Sequence, residues 1–266
     1  MSSLSQGQIQ QILNILTQGG QKALTIWRQQ EDIDAQKKAD GTPVTQADRL
    51  LSSFYIEQLP KVLNVPVVSE EEELPSEPNK TYFIVDPIDG TKYFSNKEPD
   101  WVTMVALIHD CRPVFGMILH PASGDFCWAQ QGEGAHCQTG AIQPIQHPNP
   151  PYIAFSSGFH KKPVGQKIKE SFQLGKILER GSALKFMNIA TGEAHFYPRK
   201  GPTGEWDTAA GQILLEESNG FVLDLNTGEP MLYGKPDFKN RGFIAGHNVL
   251  LNKAKELLQQ KSSILL

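Results

Sequence analysis

The sequence predicts a mixed α and β fold in two halves, an α+β half over residues 1–150 and an α/β half over residues 151–266. Three observations lead there. Apolar residues at helical spacing open the chain, a series of strand-like runs joined by short polar turns follows, and beyond a proline-rich stretch helix and strand patterns alternate.

Each element follows from its own pattern. Ile9, Ile12, Leu13 and Leu16, then Ala23 and Trp27, recur at helical spacing, either as separate amphipathic turns or as one long helix broken near Gly19-Gly20. The segment KKADGTPVTQAD reads as a loop into a second helix, lined on one side by Ala47, Leu50, Leu51, Phe54 and Tyr55. Residues 64–69 form a short strand that runs into Glu70, Glu71 and Glu72, and residues 81–86 form a strand whose apolar run stops at an acid. Residues 101–108, 114–119 and 126–129 then read as strands of a largely antiparallel sheet, with turns around Asp110 and Gly124.

The polar, proline-rich stretch beginning at Gln146 separates the halves. Beyond it, helices are predicted over 164–172, 182–192, 207–220 and 248–260, with short strands at 153–157, 195–197, 221–225 and 243–245. Two such units place a cleft between them, a common position for a small-molecule site.

Composition narrows the classes. A net charge of −4, with 39% hydrophobic and 20% charged residues, gives no long-range attraction for nucleic acid, so an anionic ligand would need local cations or bound metal. The N-terminus carries no basic stretch followed by an apolar run, and no segment reaches the length of an apolar spanning helix. Cys111, Cys127 and Cys137 cannot all pair within one chain and form no CxxC, which fits a reducing cytoplasm.

The informative residues are acids. In Val85-Asp86-Pro87-Ile88-Asp89-Gly90-Thr91 a strand ends at Asp86, Pro87 fixes its own backbone angle, and Gly90 permits a tight turn. That turn can aim Asp86 and Asp89 at one point and leave the N–H groups of Gly90 and Thr91 for an anion; carboxylates suit Mg2+, and the N–H groups suit phosphate. An Asp-rich turn capping a helix is the plainer reading. Glu70 or Glu71, at a preceding strand end, can reach Asp86; Asp207, after Trp206, is either a helix N-cap or the completing acid of a metal site. Asp48 is free to face the cleft if Thr45 is the local cap. Together these residues predict a magnesium-dependent phosphatase for a small phosphate monoester.

Glu70-Glu71, DPIDGT at 86–91 and WDTAAG at 206–211 resemble, in order and spacing, the inositol monophosphatase superfamily over nearly the whole chain. The stretches DGTPVTQAD at 40–48, SEE at 69–71, GSALKFMNIATGEAHFYPR at 181–199 and GEWDTAAGQILLEESNG at 204–220 are most similar to bacterial 3'(2'),5'-bisphosphate nucleotidases. The resemblance implies an αβαβα layered sandwich of the sugar-phosphatase kind. It implies two or three Mg2+ ions: one on Glu70, Asp86 and the Ile88 carbonyl, a second on Asp86, Asp89 and Asp207, and a looser third near Glu70 with help from Asp48. Lithium inhibition is implied in the same way. Three positions depart from the pattern: Thr42 stands where Ser is frequent, Ser182-Ala183 where two serines are common, and Tyr233-Gly234-Lys235 where Tyr-Asn-Lys is typical.

The implied reaction is hydrolysis of adenosine 3',5'-bisphosphate to AMP and phosphate, with inositol monophosphate hydrolysis as the alternative. Asp48, through the Thr91 hydroxyl, would take a proton from the attacking water beside Glu70, while Gly90 and Thr91 meet the substrate phosphate. Ser182, Lys185, Arg199 and His160 would read the rest of the nucleotide, although Lys185 also fits a solvated helix lysine, Arg199 a surface ion pair and His160 a surface histidine. No nucleic-acid partner is expected. Homodimer formation and peripheral association with an inner membrane stay open.

Overall fold

Two main β-sheets with helices between and outside them, together with two two-stranded ribbons, make up the structure, a computed structural model that describes residues 3–29, 36–37, 43–142, 152–155, 161, 163–172 and 176–259. The first half contains α1 (Gln6–Gln29), β1 (Gln36–Lys37), β2 (Pro43–Val44), α2 (Gln46–Gln58), β3 (Val67–Ser69), β4 (Thr81–Asp89), α3 (Thr91–Ser95), β5 (Val102–His109), β6 (Arg112–His120), β7 (Asp125–Gln130), β8 (Gly134–Cys137) and β9 (Gly140–Ala141). The second contains β10 (Tyr152–Phe155), α4 (Pro163–Phe172), β11 (Lys176–Glu179), α5 (Leu184–Ala190), β12 (Phe196–Arg199), β13 (Thr203–Gly204), α6 (Ala209–Glu217), β14 (Gly220–Asp224), β15 (Lys239–Asn240), β16 (Phe243–His247) and α7 (Leu251–Gln259).

Strands β3 to β9 lie in sequence order in one large sheet, antiparallel except for the parallel β3/β4 pair. The second sheet has the order β11-β10-β12-β16-β14, its first three strands parallel and β16 antiparallel to both neighbours.

Side-chain alternation along the strands builds the layers. From β4, Phe83 and Val85 pack with Ile12, Leu16, Leu51 and Tyr55 of α1 and α2. Tyr82 and Ile84 face the other way, into a core with Phe186 of α5, Ile213 and Leu214 of α6, and Val222 and Phe243 of the second sheet. The outer face of that sheet, with Phe196, Leu223 and Ile244, is covered by Ile168 of α4 and by Ala254 and Leu257 of α7. The succession is the αβαβα sandwich. The 1–150 and 151–266 halves are retained as a proposal; each sheet lies within one of them, and the boundary falls at 143–151, outside the described residues. Among the described residues no helix is long and apolar enough to cross a membrane.

The structure departs from the sequence expectations in several places. α1 runs unbroken through Gly19 and Gly20, both buried. Gly19 is there for contact, not for a bend: a Cβ on it would lie 2.2 Å from Tyr55 Oη. Leu50 is 45% exposed and does not join the packed side of α2. β4 continues past Asp86 to Asp89, and the second sheet is mixed in direction.

Gly19→Ala should therefore destabilise the protein by about 1–3 kcal/mol through overpacking against Tyr55. Gly7→Ala, whose Cβ meets only Ser5 Oγ at 3.9 Å, should stay within about 1 kcal/mol of the wild type, on the stabilising side. Urea midpoints measure both; an unchanged midpoint for Gly19→Ala would mean that Tyr55 yields without cost.

Candidate active site

Asp86 and Asp89 lie three residues apart on one strand, so regular alternation would send them to opposite faces. Asp86 pairs with Met104 and Asp89 with Val102, three steps along β4 against two along β5. The extra residue is a β-bulge, and it restores parity so that both carboxylates face the same point. Pro87 sits inside the bulge, where its missing N–H breaks no ladder bond.

The other acids arrive by separate routes. Parallel pairing of Ser69 with Val85 sets the end of β3 beside Asp86, and Glu70 is the next residue. The ligand atoms of Glu70, Asp86 and Asp207 lie within 4.8 Å of one another. Asp207 is not the N-cap of α6. Thr208 holds that place, while Asp207 Oδ2 accepts the Gly204 N–H at 2.8 Å and its carboxyl hydrogen-bonds Asp86.

Asp48 divides its two oxygens. Thr45 caps α2 as expected, but Asp48 is not free of the cap: Oδ2 accepts the Thr45 N–H at 2.8 Å and the Thr45 hydroxyl at 2.5 Å, closing a capping box. Oδ1 accepts the Thr91 hydroxyl at 3.1 Å. That hydroxyl also donates to the Ile88 carbonyl at 3.1 Å. Gly90 caps α3 with φ 96, a left-handed angle suited to glycine, and the N–H groups of Gly90 and Thr91 precede the first bond of that helix.

The 180–185 turn, from the second half of the chain, packs against the acids. The Ala183 N–H donates to Asp89 Oδ2 at 2.5 Å and the Gly181 N–H to Asp100 Oδ2 at 2.8 Å. Ser182 takes a left-handed φ of 43, a strain held by its neighbours. Lys185 is only 2% exposed, which overturns the solvated-lysine alternative. Its Nζ donates to the carbonyls of Ser182 at 2.6 Å and Arg180 at 3.2 Å, over the face of Tyr197 at 4.8 Å. Arg199 Nε is buried without a hydrogen-bond partner among the described residues. His160 lies outside the described residues.

Burial controls the charges. It raises Asp48 above its ordinary value, lifts Asp89 to about 6 with Glu70 adding and Lys185 opposing, and pushes Asp207 up to about 8 with Asp89 and Glu70 adding. Asp86 is raised well above its ordinary value, first by burial and then by Glu70, Asp89 and Asp207. Lys185 is lowered to about 8, first by burial, with Asp89 opposing. Asp86 Oδ1 is buried with no hydrogen-bond partner among the described residues. A converging carboxylate set with such an oxygen suits a hard divalent cation, which would remove the mutual repulsion.

The structure thus links Asp48, Glu70, Asp86, Ile88, Asp89, Gly90, Thr91, Ser182, Lys185, Arg199 and Asp207 in one neighbourhood. Two supporting residues escaped the sequence reading. Asp100 braces the Gly181 turn, and the fully buried Glu205 accepts the Gly234 and Lys235 N–H groups and pairs with Lys235 Nζ at 2.7 Å. Neither shows a pattern in sequence, since each acts on backbone far along the chain.

Comparison with known proteins agrees with this geometry. The sequence profile of the inositol monophosphatase family matches residues 8–264. The 3'(2'),5'-bisphosphate nucleotidase CysQ of Aggregatibacter actinomycetemcomitans is 34% identical over 250 residues, covering 90% of this chain and 92% of that one. CysQ of Escherichia coli K12 is 31% identical over 245 residues, covering 88% and 98%. The crystal structure of CysQ from Bacteroides thetaiotaomicron superposes with a TM-score of 0.76 at 28% identity, covering 91% of this chain and 97% of that one.

A pH dependence follows from the buried acids. In the metal-free protein Asp89 and Asp207 keep their protons up to about 6 and about 8, against an ordinary 3.8. The folded chain then binds more protons than the unfolded chain across that window, so its stability should fall as pH rises through it. Chelated protein should melt lower near pH ~8 than near pH ~5, and Asp207→Asn should raise the melting point near pH ~8 by about 3 °C. A pH-independent difference between variant and wild type in thermal melts would show that these carboxyls ionise freely.

Proposed function

The chain belongs to the inositol monophosphatase family, and from that membership we propose that it is a cytoplasmic 3'(2'),5'-bisphosphate nucleotidase, hydrolysing adenosine 3',5'-bisphosphate to AMP and phosphate with two or three Mg2+ ions. The observation that carries the reaction class is the convergence of half-buried Glu70 and Asp207 on buried Asp86, whose Oδ1 has no hydrogen-bond partner among the described residues. The choice of substrate rests on kinship with CysQ nucleotidases, supported by a cationic pair, Lys185 and Arg199, whose charges both act on Asp89.

Glu70, Asp86 and the Ile88 carbonyl would hold one ion, Asp86, Asp89 and Asp207 the second, and Glu70 with Asp48 a looser third. Bound there, Mg2+ supplies a water of lowered pKa and charge relief for the departing alkoxide. The remaining work falls to the chain. Thr91 Oγ1 accepts a proton from the attacking water and passes its own to Asp48 Oδ1, the contact already made at 3.1 Å. The capping box fixes the other Asp48 oxygen, so the basic oxygen keeps its aim, and burial raises the carboxyl toward the range useful to a general base.

The N–H groups of Gly90 and Thr91 donate to the phosphate that is cleaved. Lys185 and Arg199, with Ser182 between the two sites, receive the second phosphate; the guanidinium supplies a planar donor fork and the ammonium a point charge. Attack is in line, with no covalent phosphoenzyme. Glu205 holds the segment before Asp207 in register through its bonds to Gly234 and Lys235.

Phosphate release from adenosine 3',5'-bisphosphate and inositol 1-phosphate, compared as kcat/KM in one Mg2+ buffer, tests the reading. The nucleotide should be preferred by about a hundredfold or more, the scale of one well-placed charged contact. Preference for inositol phosphate would overturn the substrate and leave the reaction class standing. Lys185→Gln keeps donors for the Arg180 and Ser182 carbonyls but removes the charge, and should cut the nucleotide preference at least about tenfold; equal losses on both substrates would remove Lys185 from discrimination. Asp89→Asn and Asp207→Asn should each lower kcat by at least about a hundredfold at saturating substrate, and near-wild-type kcat in both would sink the second-ion assignment.

A further inference from the structure

β7 and β8 place two cysteines directly opposite each other on the face of the large sheet turned toward α5 and α6. Cys127 and Cys137 are register partners, and in the neighbouring pair the Gln138 N–H donates to the Phe126 carbonyl. That bond makes 127/137 the non-hydrogen-bonded position of the ladder. Cα atoms at such positions are about 4.5 Å apart, inside the window of about 4.4–6.8 Å that a disulfide spans. Both residues are free thiols. On the opposite face of the same hairpin Trp128 stacks on His136 at 4.2 Å between centroids, which holds the register that keeps the sulfurs facing.

Access differs between the pair. A cavity of about 530 Å³ is walled by Asp100, Arg180, Leu184 and Met187 together with both cysteines. Cys127 is 1% exposed, whereas Cys137 is half-buried and also contacts Thr139 Oγ1 at 3.3 Å. A small reagent entering the cavity meets Cys137 first. Cys111, exposed in the turn between β5 and β6, takes no part in the cavity wall.

We propose that Cys127 and Cys137 form a thiol-oxidation site that closes to an intramolecular disulfide when a low-molecular-weight disulfide enters the cavity. The Cys137 sulfur attacks the reagent, forming a mixed disulfide and releasing one reduced thiol. The Cys127 sulfur, its proton lost to solvent, then attacks the Cys137 sulfur and expels the second thiol. Two electrons pass to the reagent and two protons appear on the released thiols, so the exchange balances. The bridge would staple β8, which with the two-residue β9 forms an edge of the large sheet, to the more central β7. Burial, with the Cys137 neighbour second, raises the Cys127 thiol, so Cys127 rests protonated.

The test uses full-length protein with Mg2+ present, treated with oxidised glutathione, blocked with N-ethylmaleimide, and read by intact mass and peptide mapping. Once the single N-ethylmaleimide or glutathione carried by the exposed Cys111 is subtracted, the main product should be lighter by about two hydrogens and contain a peptide joining Cys127 to Cys137. Cys111→Ser should give the same bridge. Cys137→Ser should lose it, and its Cys127 should stay unmodified over the same interval. Accumulation of a stable glutathione adduct on Cys137 with Cys127 still free, or a bridge through Cys111, would overturn the proposal.

Discussion

Bringing Glu70, Asp86 and Asp207 within 4.8 Å of one another, mostly out of water, creates a conflict that the surrounding structure has to resolve. At an effective dielectric near 20, each ionised pair at that separation repels by about 3 kcal/mol. Without a cation the cluster answers by holding protons, as the raised values of Asp86, Asp89 and Asp207 record. With a cation the same arrangement becomes favourable, because metal charge reverses the sign of every carboxylate contribution. Metal affinity and apo instability are two faces of one geometry.

That geometry is imposed by backbone, which is stiffer than side chains. The bulge at Pro87 aligns Asp86 with Asp89, the parallel β3/β4 pair delivers Glu70, and the Gly204 N–H pins Asp207. These supports are distant in sequence and share few side chains, so the acids cannot relax apart by local rotamer changes alone. A rigid scaffold beneath a repulsive cluster is the condition for preorganised catalysis. It also explains why backbone strain sits nearby, at Ser182 with its left-handed φ.

What could be read in the sequence follows the range of the interactions. DPIDGT packs proline, glycine and two acids into one turn, and the acids of SEE and WDTAAG stand at ends of periodic segments, so their chemistry is local and visible. The layer order came only with the family resemblance, because the continuous apolar run of β4 does not say which helices meet each of its two buried faces. The continuous α1 was not legible, because Gly19 is explained by Tyr55 on another helix. Nor was the burial of Lys185, whose environment is made by Tyr197, Asp89 and two carbonyls that only the folded chain brings together. Asp100 and Glu205 were invisible because their partners are backbone amides of remote loops.

Lys185 joins the two parts of the proposed reaction. Its ammonium ties the carbonyls of Arg180 and Ser182, so it fixes the turn whose Ala183 N–H holds Asp89. A lysine at the surface would lose much side-chain freedom on meeting a phosphate; this one has lost it on folding. Its charge is disfavoured by burial and supported by Asp89, and a second phosphate would add support from the substrate side. A substrate carrying two phosphates would then stabilise the turn and the metal-binding acid together, whereas a monophosphate could do so only at the cleaved end. On this reading, preference for a bisphosphate comes from one clamped turn shared by both subsites, and the deeper the lysine is buried the more strongly the two are coupled.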